Sequence, residues 1–347
     1  MKRTRKPDTL SGQMKQRLIK KKIKKDKYDG EFGQVISTGS TLLDLEISGG
    51  RIRGGGLPGG ILVEIFGPSG SGKTVLLSEI AGDVQRKGGS VTFKDPEARL
   101  NKRFAALFGL DILDADYSQP DTVPEVFQSV RNWKPPNTSV INGSFADSLA
   151  ALSTEMEMDE KDQYGMRRAK EFSEELRKTC RIIKKKNYLM VCSNQVRENI
   201  GASEYQPKTS TPGGKAMGFY SSLRLQFTNP KKIKRVKLIF GKKVEKVIGV
   251  EVVVSVFKSS IWKPFGTAPV TILFDYGIDD IRQNLQYIKN FTKNKIYTVG
   301  DKKLSNVMEE ALLMVEEGDL EDVLKEQVID LWERLESKFI VERKPKR

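Results

Sequence analysis

Apolar positions along this chain follow two rhythms, and the change from one to the other divides it. Between residues 61 and 193, short apolar runs alternate with stretches whose apolar residues recur at helical spacing. Residues 61–66, 90–93 and 188–193 read as strands, and 144–147 as a strand end. Leu76, Leu77, Ile80, Ala81 and Val84 fall on one side of a predicted helix over 74–87, which Gly88 and Gly89 stop. Further helices are predicted over 102–108, 121–133 and 165–185, the last aligning Ala169, Phe172, Leu176, Cys180 and Ile183. Alternation of this kind implies crossover units on a largely parallel sheet.

From Leu223 the period shortens to that of strands, at 223–227, 236–240, 250–256 and 270–274, with a turn at Gly241-Lys242 between two basic strands. Beyond Asp279 the pattern is mostly helical, strongest over 304–317 and 320–339. Before the core, residues 1–8 read as disordered. Leu10, Met14, Leu18, Ile19 and Ile23 then make an amphipathic helix with cations on its other face, which needs something to dock on. The reading is an α/β chain: a twisted, largely parallel sheet flanked by helices, an N-terminal helix and a small C-terminal α-rich domain. The expected units are a basic arm and oligomerisation helix over 1–33, a core over 34–279 and the α-rich domain over 280–347.

Composition narrows the chemistry. The 347 residues contain no histidine, which removes imidazole as base, nucleophile or metal ligand. Two cysteines, Cys180 and Cys192, make neither a disulfide framework nor a four-cysteine zinc site and are expected to be reduced and buried. No apolar run suits a membrane span or an export signal, so a cytoplasmic address is expected. The net charge is +15, and 12 Lys and Arg lie within residues 1–27 beside Asp8 and Asp26. Such a field favours polyanions, nucleic acid or anionic lipid, although a solvated tail has the same composition. The basic run 230–237 has the composition of a nuclear-import signal, but basic runs between strands are usually solvated hairpins or phosphate contacts.

One motif carries specific chemistry. Gly67-Pro68-Ser69-Gly70-Ser71-Gly72-Lys73-Thr74 fits G-x-x-x-x-G-K-[ST] and lies between an apolar strand and an amphipathic helix. Glycines let backbone N–H groups close around phosphate oxygens, and the helix N-terminus adds positive charge. Lys73 is then expected at the β- and γ-phosphates and Thr74 at Mg²⁺. Asp147, at the end of a strand, is the candidate Mg²⁺-side carboxylate, with a helix cap as the plainer alternative. Glu97, just past the strand at 90–93, would sit at the carboxyl edge of the sheet beside the phosphates. It is the candidate base that orients water, a surface carboxylate being the alternative.

The order of several further segments resembles the bacterial RecA recombinase family. They are Ile36-Ser-Thr-Gly-Ser40, Gly56-Leu-Pro-Gly-Gly60, Ser118-Gln-Pro-Asp-Thr122, Asp147-Ser-Leu-Ala-Ala-Leu152, Ser193-Asn-Gln-Val-Arg197 and Pro212-Gly-Gly-Lys215. The resemblance covers roughly residues 30–280 and implies a RecA-like P-loop ATPase core. It implies a DNA-dependent ATPase that uses ATP and Mg²⁺, forms a helical filament of like subunits on single-stranded DNA, and exchanges strands with duplex DNA. Glu97 matches the family's catalytic glutamate, and Gln195 the glutamine that senses the γ-phosphate. Phe104 falls where an aromatic stacks on adenine, and Asn101 where a polar group meets the base. Residues 155–168 and 196–213 match the two DNA-binding loops, with Arg167, Arg168, Lys170, Arg197, Gly213, Gly214 and Lys215 as DNA contacts. Phe219 matches an aromatic that packs between subunits.

Two departures stand out. The family places two lysines, two residues apart, that reach the neighbour's ATP; here the pair reads Lys258 and Ser260, and Lys263 is the nearest substitute. The chain closes Glu342-Arg-Lys-Pro-Lys-Arg347, basic where the family is often acidic. With the cationic front, this points to a phage- or mobile-element-encoded relative with weaker restraint on DNA binding, at work in a bacterial or phage-infected cell. The alternatives are a RecA-fold ATPase acting as recombination mediator or regulator, and a ring-forming hexameric helicase motor, neither of which exchanges strands.

Overall fold

The computed structural model describes residues 33–111, 116–153, 166–198, 209–210, 214–292 and 294–343. The expected helix over residues 9–27 and the basic tail from 344 lie outside these. Strands β1 (Val35–Ile36) and β2 (Leu57–Pro58) pair with each other and enclose helix α1 (Thr41–Asp44), which continues as a π turn over Leu45–Gly49. The alternating stretch runs β3 (Ile61–Gly67), α2 (Lys73–Arg86), β4 (Val91–Lys94), α3 (Lys102–Leu107), β5 (Asp116–Ser118), α4 (Val123–Asn132), β6 (Asn142–Ala146), α5 (Met166–Lys186) and β7 (Tyr188–Gln195). Short strands β8 (Arg197–Glu198) and β9 (Thr209–Ser210) pair ahead of α6 (Gly214–Tyr220). There follow β10 (Leu223–Phe227), β11 (Lys231–Ile239), β12 (Lys242–Ser259), β13 (Thr267–Leu273) and β14 (Gly277–Ile278). The chain then forms α7 (Asp280–Phe291), the pair β15 (Thr298–Val299) and β16 (Lys302–Lys303), α8 (Met308–Glu316) and α9 (Glu321–Lys338).

The central sheet has ten strands in the order β14-β13-β12-β10-β3-β7-β6-β4-β5, with β11 on β12. From β10 to β5 every pairing is parallel, and from β10 outward to β14 every pairing is antiparallel. The mixed α/β architecture with a mostly parallel sheet between helices is the one expected. Side chains alternate across it. Val63, Ile65, Phe93, Phe145 and Val191 pack with Leu76, Leu77 and Ile80 of α2, in a core that also takes in Leu285 of α7 and Trp332 of α9. Leu62, Met190 and Cys192 pack on the opposite face with Phe127 of α4 and Phe172 and Leu176 of α5. Burial pushes the Cys180 thiol up to about 11 and the Cys192 thiol higher still, so both remain neutral.

Polar residues in β6 interrupt its apolar pattern, yet the whole strand is buried. Asn142 Oδ1 accepts from Ser90 N at 2.8 Å, and its Nδ2 donates to Asn137 O at 2.7 Å. A Cβ on Gly143 would come within 2.5 Å of the Phe145 ring, so only glycine allows the sheet to close there. The predicted helix over 304–317 starts later, at Met308. Residues Tyr297 and Leu304 exchange backbone contacts across the β15–β16 turn, where Gly300 takes φ +57°. The Ser-Thr-Gly-Ser segment at 37–40 wraps a buried carboxylate: Asp44 accepts from Ser37 Oγ at 2.6 Å, Thr38 N at 2.8 Å and Thr38 Oγ1 at 2.7 Å.

Glu79 on α2 accepts from Ile278 N at 3.2 Å, and burial raises its pKa from 4.5 to about 7. The native state therefore keeps a proton that the unfolded chain releases near pH 4.5. The stability this supplies is complete below that pH and is lost as pH rises through 7. Glu79→Gln keeps the accepting oxygen and removes the titration. It is expected to flatten the fall in thermal midpoint between about pH 5 and 8, with a gain of about 2 °C at the upper end. Parallel midpoint–pH curves for the two proteins would refute this.

Candidate functional site

Because β3, β7, β6 and β4 are neighbouring parallel strands, their carboxyl ends share one edge of the sheet. Gly67 lies beside Gln195, Cys192 beside Ala146, and Ala146 beside Lys94. The residues that follow those ends therefore converge. The glycine loop, Gln195, Asp147 and Glu97 line one cavity of about 510 Å³. Open α/β sheets form ligand crevices at this edge.

The loop's backbone suits an anion. Gly70 and Gly72 hold φ of +71° and +93°, and a Cβ on Gly72 would also strike Ile272 at 2.2 Å. Helix α2 starts at Lys73 without a side-chain cap, which leaves the N–H groups of its first turn for a ligand. Lys73 Nζ is buried and donates to Gly67 O at 3.1 Å and Pro68 O at 2.7 Å. Burial lowers its pKa, opposed by the negative charges of Asp147 and Glu97.

Asp147 joins two elements. Its Oδ2 accepts from Thr74 Oγ1 at 2.7 Å, and its Oδ1 accepts from Ser193 Oγ. Ser193 Oγ in turn accepts from Ser148 N at 2.8 Å. Burial raises the Asp147 pKa, while the Ser193 and Thr74 hydroxyls hold it down. Asp147 caps no helix: the short 3₁₀ turn Leu149–Ala151 has Ser148 at its start, at φ +53°. A hydroxyl and a carboxylate side by side are hard oxygen donors, and Mg²⁺ takes one or two such protein ligands beside phosphate oxygens. The donor set fits that ion.

Glu97 is partly exposed at the cavity wall, with Arg99 Nη1 at 3.5 Å from its Oε2. Asn101 lines the cavity too, but its Oδ1 caps α3 by accepting from Arg103 N at 2.9 Å and Phe104 N at 3.3 Å. Phe104 stands edge-on to Phe108, with ring centres 4.7 Å apart. Sequence reasoning missed Arg99 and Phe274. Phe274 lines the same cavity and is about half exposed, carried in by the antiparallel wing together with Val250 and Ile272. It also missed the support beneath Gln195. There Glu64, fully buried, accepts from Asn194 Nδ2 at 3.1 Å and Arg224 Nε at 2.6 Å, and the Arg224 guanidinium lies over Phe66.

Other predicted residues stand elsewhere. Lys258 is outside this cavity and donates to the carbonyls of Gly218, Phe219 and Ser221 at 2.8, 3.1 and 2.8 Å, closing the end of α6. Lys263 Nζ is 3.0 Å from Glu336 and near the Trp262 ring, so it is no ready substitute for a second lysine. Phe219 is 77% exposed and lines a groove with Lys170 and Tyr220 between α5 and α6. Gly214 begins α6. Gly213 and the side chains of Arg167, Arg168, Arg197 and Lys215 lie outside the described residues.

A family model described as the RecA N-terminal domain matches residues 13–279. Protein RecA of Delftia acidovorans is 37% identical over 247 residues, covering 71% of this chain and 63% of its own length. The match thus spans under two thirds of that relative. Protein RecA of Borrelia hermsii is 32% identical over 307 residues, with 86% and 82% covered. For Thermus thermophilus the figures are 35% over 249 residues, with 71% and 69% covered. A crystal structure of the RadB recombinase superposes with a TM-score of 0.50 at 19% identity, over 70% of this chain and 98% of that one, a likeness of fold. Among the described residues, no helix is long and apolar enough to cross a membrane, and no group of three or more Cys, Asp or Glu could hold a metal ion.

Proposed function

Since this chain belongs to the RecA family, we propose that it is a DNA-dependent ATPase that assembles into filaments on single-stranded DNA and pairs it with homologous duplex. One observation carries the reading. The phosphate loop, Asp147, Glu97 and Gln195 meet at one cavity, and Gln195 ends the strand that leads into the second loop expected to hold DNA.

In this reading the first-turn N–H groups of α2 and Lys73 hold the phosphates, and Thr74 with Asp147 holds Mg²⁺, which neutralises phosphate charge. Glu97 accepts the proton of the attacking water and orients it. Phe104 and Phe274 receive the base. Gln195 follows the γ-phosphate and biases the following loop, so DNA affinity differs between nucleotide states. The grip on DNA is phosphate neutralisation, hence salt-dependent and nearly sequence-blind. Phe219 serves the subunit contact, with Lys258 holding the carbonyl end of its helix.

Ser193 is a positioning residue in this scheme. Ser193→Ala is expected to raise the Mg²⁺ concentration for half-maximal binding of a fluorescent ATP analogue by roughly tenfold, and Ser193→Thr to restore it. An unchanged Mg²⁺ midpoint would remove that role.

A second reading, a RecA-fold ATPase that regulates recombination without exchanging strands, is favoured by Ser260 in place of a second lysine. ATPase rates with and without single-stranded DNA, paired with negative-stain images and a strand-exchange assay, separate the two. DNA stimulation, open helices and exchanged strands support the proposal. Stimulation without exchange supports the regulator, and an unstimulated protein that forms no helices counts against both.

A further inference from the structure

The basic run within residues 230–237 is one side of a free β-ribbon. Residues 242–247 of β12 pair only with β11, beyond the reach of β10 and β13. Residues 231–246 carry eight Lys and Arg against one acid, Glu245. Cross-strand register sorts them. Arg235 with Lys246, Lys237 with Val244 and Ile239 with Lys242 share one face, which has no acid. Lys234, Val236, Leu238, Lys243, Glu245 and Val247 share the other, where Lys234 and Glu245 are paired at 2.7 Å.

The tip is apolar and bare: Leu238 is 71% exposed and Phe240 fully exposed. Lysines along a free edge also keep a strand from pairing with other chains. That role does not call for an aromatic at the tip. Phe240 and Gly241 form a two-residue turn with φ of +49° and +76°, a setting that favours asparagine, aspartate or glycine at the first position. Phenylalanine is held there against local preference.

We propose that this ribbon is a duplex-DNA contact, in which Lys242 and Lys243 meet backbone phosphates and Phe240 packs against the base stack. A two-stranded ribbon fits the major groove, which is about 12 Å wide. Nearer the root, Arg235 and Lys237 share a groove with Arg282 but also with Asp279, Glu309 and Glu316. Those carboxylates repel phosphate, so the contact belongs to the outer half of the ribbon. The inference rests on the DNA-binding reading above, but it concerns residues remote from the nucleotide cavity.

The test uses the full chain with a fluorescent duplex of about 30 base pairs, titrated from about 50 to 200 mM salt. Phe240→Asn is expected to keep or raise the thermal midpoint while weakening duplex binding about tenfold, with Phe240→Trp restoring it. Lys242→Gln with Lys243→Gln is expected to reduce the slope of log affinity against log salt by about 2. ATPase stimulation by single-stranded DNA should stay unchanged in all variants. Unchanged duplex affinity and salt slope would overturn the proposal. So would loss of self-association in Phe240→Asn with duplex affinity intact, which would assign the tip to a second copy of the chain. If wild type shows no stimulation by single-stranded DNA yet the ribbon variants lose duplex affinity, the filament reading fails and the ribbon contact stands.

Discussion

Lys73→Ala is expected to lower ATP turnover by at least about 10²-fold and to abolish nucleotide-dependent filaments. The Lys73 ammonium is buried at the start of α2 and bridges two loop carbonyls, at 3.1 and 2.7 Å. A charge fixed in such a site acts with little screening and needs no reorganisation when phosphate charge develops. Removing one preorganised donor of this kind typically costs about 10²–10³ in rate. The fold should survive, because burial already disfavours that charge. Turnover, the affinity of a fluorescent ATP analogue and the thermal midpoint together check the expectation. A folded variant that turns over within about tenfold of wild type would show that the loop backbone suffices without the lysine.

Glu97→Gln is expected to separate binding from hydrolysis. The substitution preserves shape and one accepting oxygen but cannot take a proton from water. General-base catalysis contributes about 10²–10⁴, so turnover should fall by that order while nucleotide-dependent DNA binding persists or lengthens. Glu97 sits at the cavity wall within 3.5 Å of Arg99, whose guanidinium would remain to meet the phosphates. Single-turnover hydrolysis beside DNA dissociation rates gives the comparison. Normal hydrolysis in Glu97→Gln would move the base to another group.

What was legible in the sequence was what is local. Strands 61–66 and 223–227 and the long helices follow from periodicity. The phosphate loop follows from glycine and lysine spacing, and Asp147 and Glu97 follow from their positions just past strands. Contacts made across the sheet were not legible. Phe274 reaches the cavity only because an antiparallel wing folds back beside β3 through β10, and nothing around residue 274 signals it. The Ser193 hydroxyl meets Asp147 only because β6 and β7 are neighbours. Lys258 could be matched to a family position, but its three carbonyl partners at the end of α6 depend on the pairing of β10 with β12. The basic ribbon was longer than its apolar pattern, since lysine and valine alternate there and both faces are exposed.

The central claim is that the nucleotide held beside Gln195 sets the affinity for DNA. Fluorescence anisotropy of a labelled single-stranded oligonucleotide, titrated with protein in the presence of a non-hydrolysable ATP analogue, ADP or neither, measures it directly. The account predicts binding at least about tenfold tighter with the ATP analogue, a coupling of about 1.4 kcal/mol. Three superimposable curves would contradict it.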